Sequence, residues 1–191
     1  MKICLIDFND SFTYILQQTI HKASNNTIHI NIFNIKELDL INKITNYHKI
    51  ILGPGPGNID EYPVAFEILQ QNKQKSILGI CLGHQIIAKY AGCQLQNMNK
   101  VYHGQKIKIT HFDNSILWNN IPKTFYAGLY HSWVVAQTSP NITITAISQQ
   151  NKIMAIKHKH YNMEGIQFHP ESYMTEHGLQ IIKNWIYSTA K

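Results

Sequence analysis

The chain has 191 residues, 44% of them hydrophobic, and a formal net charge of +6 at pH 7. This length supports one domain with a hydrophobic core, and we expect a single domain over residues 1–191. All 17 basic residues are lysine. Because nucleic-acid-binding proteins rely on arginine for bidentate contacts, the charge favours a solvated basic surface, and we expect no nucleic-acid partner. No apolar run approaches the roughly 20 residues that span a bilayer, so we expect no membrane partner either.

Three cysteines, Cys4, Cys81 and Cys93, are too few for a disulfide framework and favour a reducing compartment. No CxxC pair is present and most of the 11 histidines are scattered, so we expect no metal site. The first strand-like segment meets Asp7 too early for the apolar region of a signal peptide, which predicts a protein that is not secreted. We expect it in the cytoplasm or, because the abundance of Ile, Asn and Lys suggests an AT-rich genome, in the stroma of a plastid that encodes it.

Strand-like and helix-like segments alternate in the first half of the chain. Apolar or alternating runs predict strands, and apolar residues at helical spacing predict helices. The predicted strands are 2–6, 27–33, 49–52 and 76–80, and the predicted helices are 11–22, 63–71 and 84–91. This order predicts an α/β fold with a doubly wound, largely parallel sheet.

The second half is richer in β-branched and aromatic runs. Its predicted strands are 105–110, 133–136, 143–148, 152–158 and 165–168, followed by an amphipathic helix over about 176–187. These strands predict an antiparallel extension of the parallel sheet.

A small-residue turn at Gly79–Gln85 follows the predicted strand 76–80 and leads into a helix. This layout is typical of a nucleophile elbow with Cys81 at the nucleophile position. The start of the following helix presents free N–H groups that stabilise a thiolate and can bind an oxyanion. The segment alone also fits a buried structural cysteine beside a glycine-rich turn.

His169 stands at the end of another predicted strand, and Glu171 follows two residues later. A thiol nucleophile needs a base, and the base needs an orienting carboxylate. By itself this segment fits a strand-end histidine with a surface glutamate equally well. Together with Cys81 it supplies a complete nucleophile, base and orienting group, which favours catalysis.

Five residues, Gly53–Gly57, form a glycine and proline loop after the strand 49–52. Glycines here would let backbone amides approach a ligand. The loop matches neither a Walker A motif nor a dinucleotide-binding motif. Alone it is most simply a rigid turn.

These motifs together resemble the class I, triad-type, glutamine amidotransferase family nearly end to end. Within it the chain is similar to the small subunits of anthranilate synthase and aminodeoxychorismate synthase. The matching segments are Asp7–Tyr14, Gly53–Gly57, Gly79–Gln85, His103–Gly104, Tyr130–Ser132, Gly165–Ser172 and Thr175–Gly178. The chain departs from the family pattern at Asn9, Leu129 and Trp133, none of which belongs to the predicted triad.

The resemblance implies a flavodoxin-like fold and a role for each matching residue. Cys81 would attack the side-chain amide of L-glutamine, His169 would transfer the protons, and Glu171 would orient His169. The oxyanion would lie against the N–H groups of Leu82 and Gly55. Glutamine would be held by three residues of the Gly53–Gly57 loop and by four later residues. These are Gly55, Pro56 and Gly57 of the loop, and then Leu82, Gln85, Ser132 and Trp133.

The resemblance also implies a partner. The chain would deliver ammonia to a chorismate-using large subunit. We favour anthranilate synthase component I; the alternatives are the aminodeoxychorismate synthase large subunit or service to both. No cofactor is expected in this chain, and Mg²⁺ is expected on the large subunit.

Three alternatives are weaker. Carbamoyl-phosphate synthase's small subunit carries an extra domain, and the amidotransferase domain of GMP synthetase is usually fused to its synthetase. A non-catalytic module on the same fold predicts a broken triad, whereas all three residues are present. A Cys-His hydrolase or peptidase on an α/β scaffold leaves the Gly55 loop and Gln85 without a role.

Overall fold

A computed structural model describes residues 1–98 and 101–188. The helices in these ranges are α1 (Thr13–Ala23), α2 (Leu40–Lys43), α3 (Pro63–Gln71), α4 (Leu82–Tyr90) and α5 (Gly178–Ile186). The strands of the first half are β1 (Lys2–Asp7), β2 (His29–Asn34), β3 (Lys49–Leu52), β4 (Ser76–Ile80) and β5 (Gln94–Asn97). The second half adds β6 (Gln105–His111), β7 (Thr124–Leu129), β8 (Trp133–Gln137), β9 (Ile142–Ser148), β10 (Ile153–His158) and β11 (Met163–Ile166).

Nine strands form one sheet in the order β2-β1-β3-β4-β11-β10-β9-β6-β7. The first five of these run parallel, and the remaining four extend the sheet antiparallel. The parallel half has the strand order of a doubly wound flavodoxin-like sheet. Strands β5 and β8 form a separate two-stranded antiparallel sheet.

Helices cover both faces of the sheet because side chains alternate along each buried strand. Ile3 and Leu5 of β1 point into the core that contains α1 and α5. Cys4 and Ile6 point into the opposite core, which contains α2, α3 and α4. The parallel strands are apolar on both faces for this reason.

The predicted α/β fold with a parallel sheet and an antiparallel extension is confirmed. Two strand assignments were wrong in detail. The predicted strand 165–168 is observed as β11 at Met163–Ile166, and it lies in the parallel half beside β4 rather than in the extension. The predicted strand 133–136 is β8, which pairs with β5 outside the main sheet.

One α-helix and two strands were missed by the sequence reasoning: α2, β5 and β7. Helix α2 has only four residues, too few to show helical periodicity. Strand β5 is mostly exposed and polar, so it carries no apolar alternation. Strand β7 includes Gly128, a residue that is depleted in strands.

No helix in the described ranges is long and apolar enough to cross a membrane. Over the same residues, no group of three or more His, Cys, Asp or Glu side chains is arranged to hold a metal ion.

Candidate active site

The predicted catalytic residues meet at the carboxyl edge of the parallel sheet. Cys81 follows β4, and His169 lies three residues beyond β11. Because β4 and β11 are parallel neighbours with Ile80 opposite Ile166, both chains leave the sheet at the same edge. The loop Gly53–Gly57 follows β3, which pairs with β4 on its other side. This edge is where ligands bind in open α/β sheets.

Cys81 sits on a strained turn at the N-terminus of α4. Its φ and ψ are 52° and −99°, a conformation that non-glycine residues rarely adopt. The Cys81 N–H donates to the Ile166 carbonyl at 2.9 Å, which ties the turn to β11. A Cβ on Gly79 would lie 2.3 Å from the Gly83 oxygen, and one on Gly83 would lie 2.2 Å from the Leu52 oxygen. Both glycines are therefore required for the turn that presents the thiol.

His169 and Glu171 form a buried pair beside this turn. His169 Nδ1 lies 2.7 Å from Glu171 Oε1, and the two side chains are 2% and 0% exposed. The chain turns at Pro170 instead of staying extended, and this turn brings the carboxylate back onto the ring. The interpretation of Glu171 as a surface residue is thus excluded.

The charge environment favours a protonated His169. Burial alone opposes the imidazolium, but the neighbouring Cys81 thiol and the Glu171 carboxylate outweigh it and raise the pKa of His169 well above its ordinary value. A histidine held protonated in this position can pair with a thiolate. Such a pair is the reactive form of a cysteine nucleophile.

Two aromatic rings fix the orientation of the His169 ring. The ring centroids of Phe12 and Tyr130 each lie 4.9 Å from that of His169, and the two aromatic rings are 4.8 Å apart. The Tyr130 hydroxyl lies 3.1 Å from Ser172 Oγ. Sequence reasoning gave Phe12 and Tyr130 no individual role, although both stand in motifs that carry the resemblance.

The loop that carries His169 is anchored on β7, the strand that sequence reasoning missed. The His169 N–H donates to the Gly128 carbonyl at 3.1 Å. Thr175 Oγ1 donates to the His169 carbonyl at 2.6 Å and accepts from the Gly128 N–H at 3.0 Å. Strand β7 thus holds both ends of the turn that places the imidazole.

A cavity of about 120 Å³ opens beside Cys81. All seven residues predicted to hold glutamine line this cavity: Gly55, Pro56, Gly57, Leu82, Gln85, Ser132 and Trp133. Gln85 Nε2 and His131 Nδ1 lie 3.2 Å and 2.9 Å from the Trp133 carbonyl oxygen. Trp133 thus contacts both side chains through its backbone carbonyl.

Two N–H groups predicted to bind the oxyanion, those of Leu82 and Gly55, border the same cavity. Neither donates a hydrogen bond to another group within residues 1–98 and 101–188. Leu82 is the first residue of α4, where N–H groups have no partner inside the helix. Both donors are available to a ligand beside the thiol.

His131 and Gln167 are site residues that sequence reasoning missed. His131 lines the cavity, and its Nδ1–H donates to the Trp133 carbonyl, since a carbonyl can only accept. Burial lowers the pKa of His131 to about 4, although the Trp133 carbonyl raises it. Gln167 is fully buried, and its Nε2 lies 3.7 Å from Cys81 Sγ. Both stand inside motifs that the sequence displays, but only tertiary contacts reveal what they touch.

A larger cavity, about 270 Å³, lies elsewhere, bordered by Lys157–Asn162, Ile116, Glu164 and Ser188. Its lining includes no cysteine. We therefore place the candidate active site at the smaller cavity, whose lining includes Cys81, the neighbour of the buried His169–Glu171 pair.

Fold and site together define an α/β protein equipped for cysteine chemistry at the carboxyl edge of its sheet. The chain belongs to the class-I glutamine amidotransferase family, whose profile matches residues 4–189. The predicted family is thereby confirmed.

Two relatives are similar to this chain over nearly their full length. The chain is 38% identical to anthranilate synthase component 2 of Porphyra purpurea, with 97% of this chain and 99% of that protein aligned. It is 37% identical to the protein of the same name from Methanocaldococcus jannaschii, over 98% and 97% of the two chains. A crystal structure of a glutamine amidotransferase from Thermotoga maritima shares the fold at 17% identity, with a TM-score of 0.74 over 97% of this chain and 80% of that one.

Proposed function

We propose that this chain is the glutamine-hydrolysing subunit of anthranilate synthase, with Cys81, His169 and Glu171 as its catalytic triad. The observation that carries the proposal is the juxtaposition of thiol, imidazole and carboxylate beside a cavity lined by the Gly55 loop and Gln85. The near full-length similarity to proteins named anthranilate synthase component 2 supports the choice of enzyme.

The first half of the reaction forms a thioester. The Cys81 thiolate attacks the side-chain amide carbon of glutamine, and the negative oxygen is stabilised by the N–H groups of Leu82 and Gly55. Protonated His169 donates its proton to the leaving nitrogen, and ammonia departs as the C–N bond breaks. Glu171 holds the imidazole by Nδ1, so that Nε2 faces the reacting atoms.

The second half releases glutamate. Neutral His169 takes a proton from water as the water oxygen attacks the thioester carbon. The C–S bond then breaks, which regenerates the Cys81 thiolate and the imidazolium. The cycle consumes one glutamine and one water and yields glutamate and ammonia.

The cavity binds glutamine through backbone and side-chain polar groups. The loop Gly55–Gly57, the Gln85 side chain, and Ser132 and Trp133 surround the space in front of Cys81. A polar lining of this kind fixes orientation, because each unpaired polar group would oppose binding of an analogue that lacks its partner.

The ammonia passes to a large subunit, anthranilate synthase component I, which uses it to aminate chorismate with Mg²⁺ on that subunit. This chain then needs no cofactor of its own. Its glutaminase activity is low in isolation and rises on assembly. We place the complex in the cytoplasm or in the stroma of a plastid.

Reconstitution tests the proposal. The purified chain is mixed separately with the large subunits of anthranilate synthase and aminodeoxychorismate synthase, each with chorismate, Mg²⁺ and glutamine, and the aromatic product is identified. We expect glutamine-dependent anthranilate in the first mixture, lost in Cys81→Ala. Product in both mixtures would identify a shared subunit, and product only in the second would reassign the chain to p-aminobenzoate synthesis. No glutamine-dependent product in either would refute both partners.

A further inference from the structure

A buried amide, Gln167, contacts both the nucleophile Cys81 and Gln85, which line the glutamine cavity. Its backbone N–H donates to the Met154 carbonyl at 2.8 Å, which fixes its place just beyond β11. Its side chain bridges two site residues: Gln85 Nε2 lies 3.3 Å from Gln167 Oε1, and Gln167 Nε2 lies 3.7 Å from Cys81 Sγ. The residue is completely buried, so no solvent competes for these contacts.

The direction of this chain of amides follows from hydrogen-bonding capacity. The Trp133 carbonyl, 3.2 Å from the Gln85 amide, can only accept, so the Gln85 NH₂ group must face it. The same NH₂ group faces Gln167, which must then present its oxygen. The Gln167 NH₂ group is left to face the sulfur. A backbone carbonyl thus sets the polarity of two side chains and directs an N–H donor at the nucleophile.

We infer that Gln167 is a further catalytic residue, which donates to the Cys81 thiolate and couples it to the glutamine-binding Gln85. A donor directed at sulfur stabilises the thiolate over the thiol and aims the thiolate at the substrate. The inference rests on the proposed role of Cys81 as the nucleophile. A purely structural Gln167 would fill volume in the core without affecting thiol reactivity.

The consequence is a measurable change in how the thiol responds to pH. Without the donor, the thiolate is less favoured, so Cys81 should become reactive at higher pH. We expect Gln167→Met, which keeps side-chain length but removes the donor, to raise the pH midpoint of Cys81 alkylation by about one unit. We also expect kcat for glutamine hydrolysis at pH 7 to fall in the assembled complex by up to about tenfold, because one pH unit changes the thiolate population by at most a factor of ten.

The experiment follows alkylation of the Cys81 peptide by iodoacetamide as a function of pH, read by mass spectrometry on the full-length chain. Asn72→Leu is the matched control. Asn72 is a buried amide that donates to the Ile68 carbonyl at the end of α3, so its loss affects stability without touching the thiol. An unshifted midpoint in folded Gln167→Met would overturn the inference.

A second variant tests the inference if Gln167→Met does not fold. Gln85→Met removes the donor that fixes the polarity of Gln167 but leaves the neighbour of Cys81 in place, so we expect a smaller upward shift of the midpoint. An unshifted midpoint in this variant would also overturn the inference. The Cys81→Ala variant distinguishes failure of the proposed function from failure of the role of Gln167. If Cys81→Ala still hydrolyses glutamine, the proposed function is wrong. If Cys81→Ala is inactive but the alkylation midpoint of Gln167→Met is unshifted, only the role of Gln167 is refuted.

Discussion

At the scale of single residues, the site depends on how a charged histidine is kept inside the protein. Burial opposes its charge, and Cys81 and Glu171 restore it. The rings of Phe12 and Tyr130 pack on His169 and limit its rotation. The imidazole is therefore held both electrostatically and sterically.

The variant Glu171→Gln tests how far the Glu171 charge supports a protonated His169. This change keeps the shape but removes the negative charge that helps raise the pKa of His169. The imidazolium should then lose its proton at lower pH, and the alkaline limb of the glutaminase profile should shift to lower pH. We also expect kcat to fall at least about 10²-fold, because the carboxylate that orients the imidazole and stabilises its charge is lost.

Glu176→Gln serves as the matched control for this change. Glu176 is a half-exposed carboxylate five residues further on, paired with Lys106 and the Tyr126 N–H. Its profile should match that of the unmodified chain. An unshifted alkaline limb in Glu171→Gln would show that the carboxylate does not act on the imidazole.

At the scale of elements, the site depends on the close approach of α4 to the sheet. The first turn of α4 lies against β3, and the Gly83 N–H donates to the Gly53 carbonyl at 3.2 Å. Helix α4 also packs on β11 through His84, whose Nδ1 would lie 2.9 Å from a Cβ at position 165. The helix that begins at Cys81 is therefore located by two strands at once.

Gly83→Ala tests this packing. The added Cβ would lie 2.2 Å from the Leu52 carbonyl oxygen, which is backbone and cannot yield as a flexible side chain would. We expect α4 to be pushed away from β3, with a loss of about 2–4 kcal/mol in the free energy of unfolding and a loss of glutaminase activity. Chemical denaturation and steady-state assays measure both. Lys89→Ala, on the exposed side of the same helix, should change neither by much; a stable and active Gly83→Ala would contradict the packing argument.

The dependence of stability on acid pH tests whether His84 and His131 are kept neutral in the folded protein. Burial lowers the pKa of His84 to about 3 and that of His131 to about 4, from 6.5. The unfolded chain therefore binds more protons below about pH 6.5, and stability falls as the pH drops toward 4. Each histidine contributes a slope of about 1.4 kcal/mol per pH unit in this window.

His84→Leu should make the slope of unfolding free energy between pH 4 and 6 shallower by about 1.4 kcal/mol per pH unit. His29→Leu, on the exposed face of β2, is the control and should leave the slope unchanged. Equal slopes in His84→Leu and the unmodified chain would mean that His84 is not held neutral in the folded protein.

Elements whose bounds are set by neighbouring residues in the sequence could be predicted. Strands β3 and β4 and helix α3 have the predicted bounds because both strands are short apolar runs and Pro63 marks the start of the helix. Strand β7 and the pairing of β11 with β4 could not be predicted, since they depend on contacts between distant segments. The same holds for the site: the motifs show Cys81, whereas the role of Gln167 depends on side chains that only the fold brings together.

At the scale of the whole molecule, the three residues of the proposed triad lie at one edge of the sheet and in a single chain. If the chain supplies only ammonia, then its chemistry and that of the large subunit are separable. Ammonium salts should bypass a defective triad, because the large subunit then receives its nitrogen directly. The distinction between glutamine-dependent and ammonia-dependent product thus isolates the contribution of this chain.

The most direct measurement compares Cys81→Ala with Cys93→Ala in the complex with anthranilate synthase component I. Cys93 is the matched control because it is also buried and lies outside the lining of the cavity beside Cys81. We predict that Cys81→Ala abolishes glutamate release and glutamine-dependent anthranilate while ammonium still supports the product, and that Cys93→Ala retains both activities. Glutamate release by Cys81→Ala at the rate of the unmodified complex would contradict the assignment of Cys81 as the nucleophile.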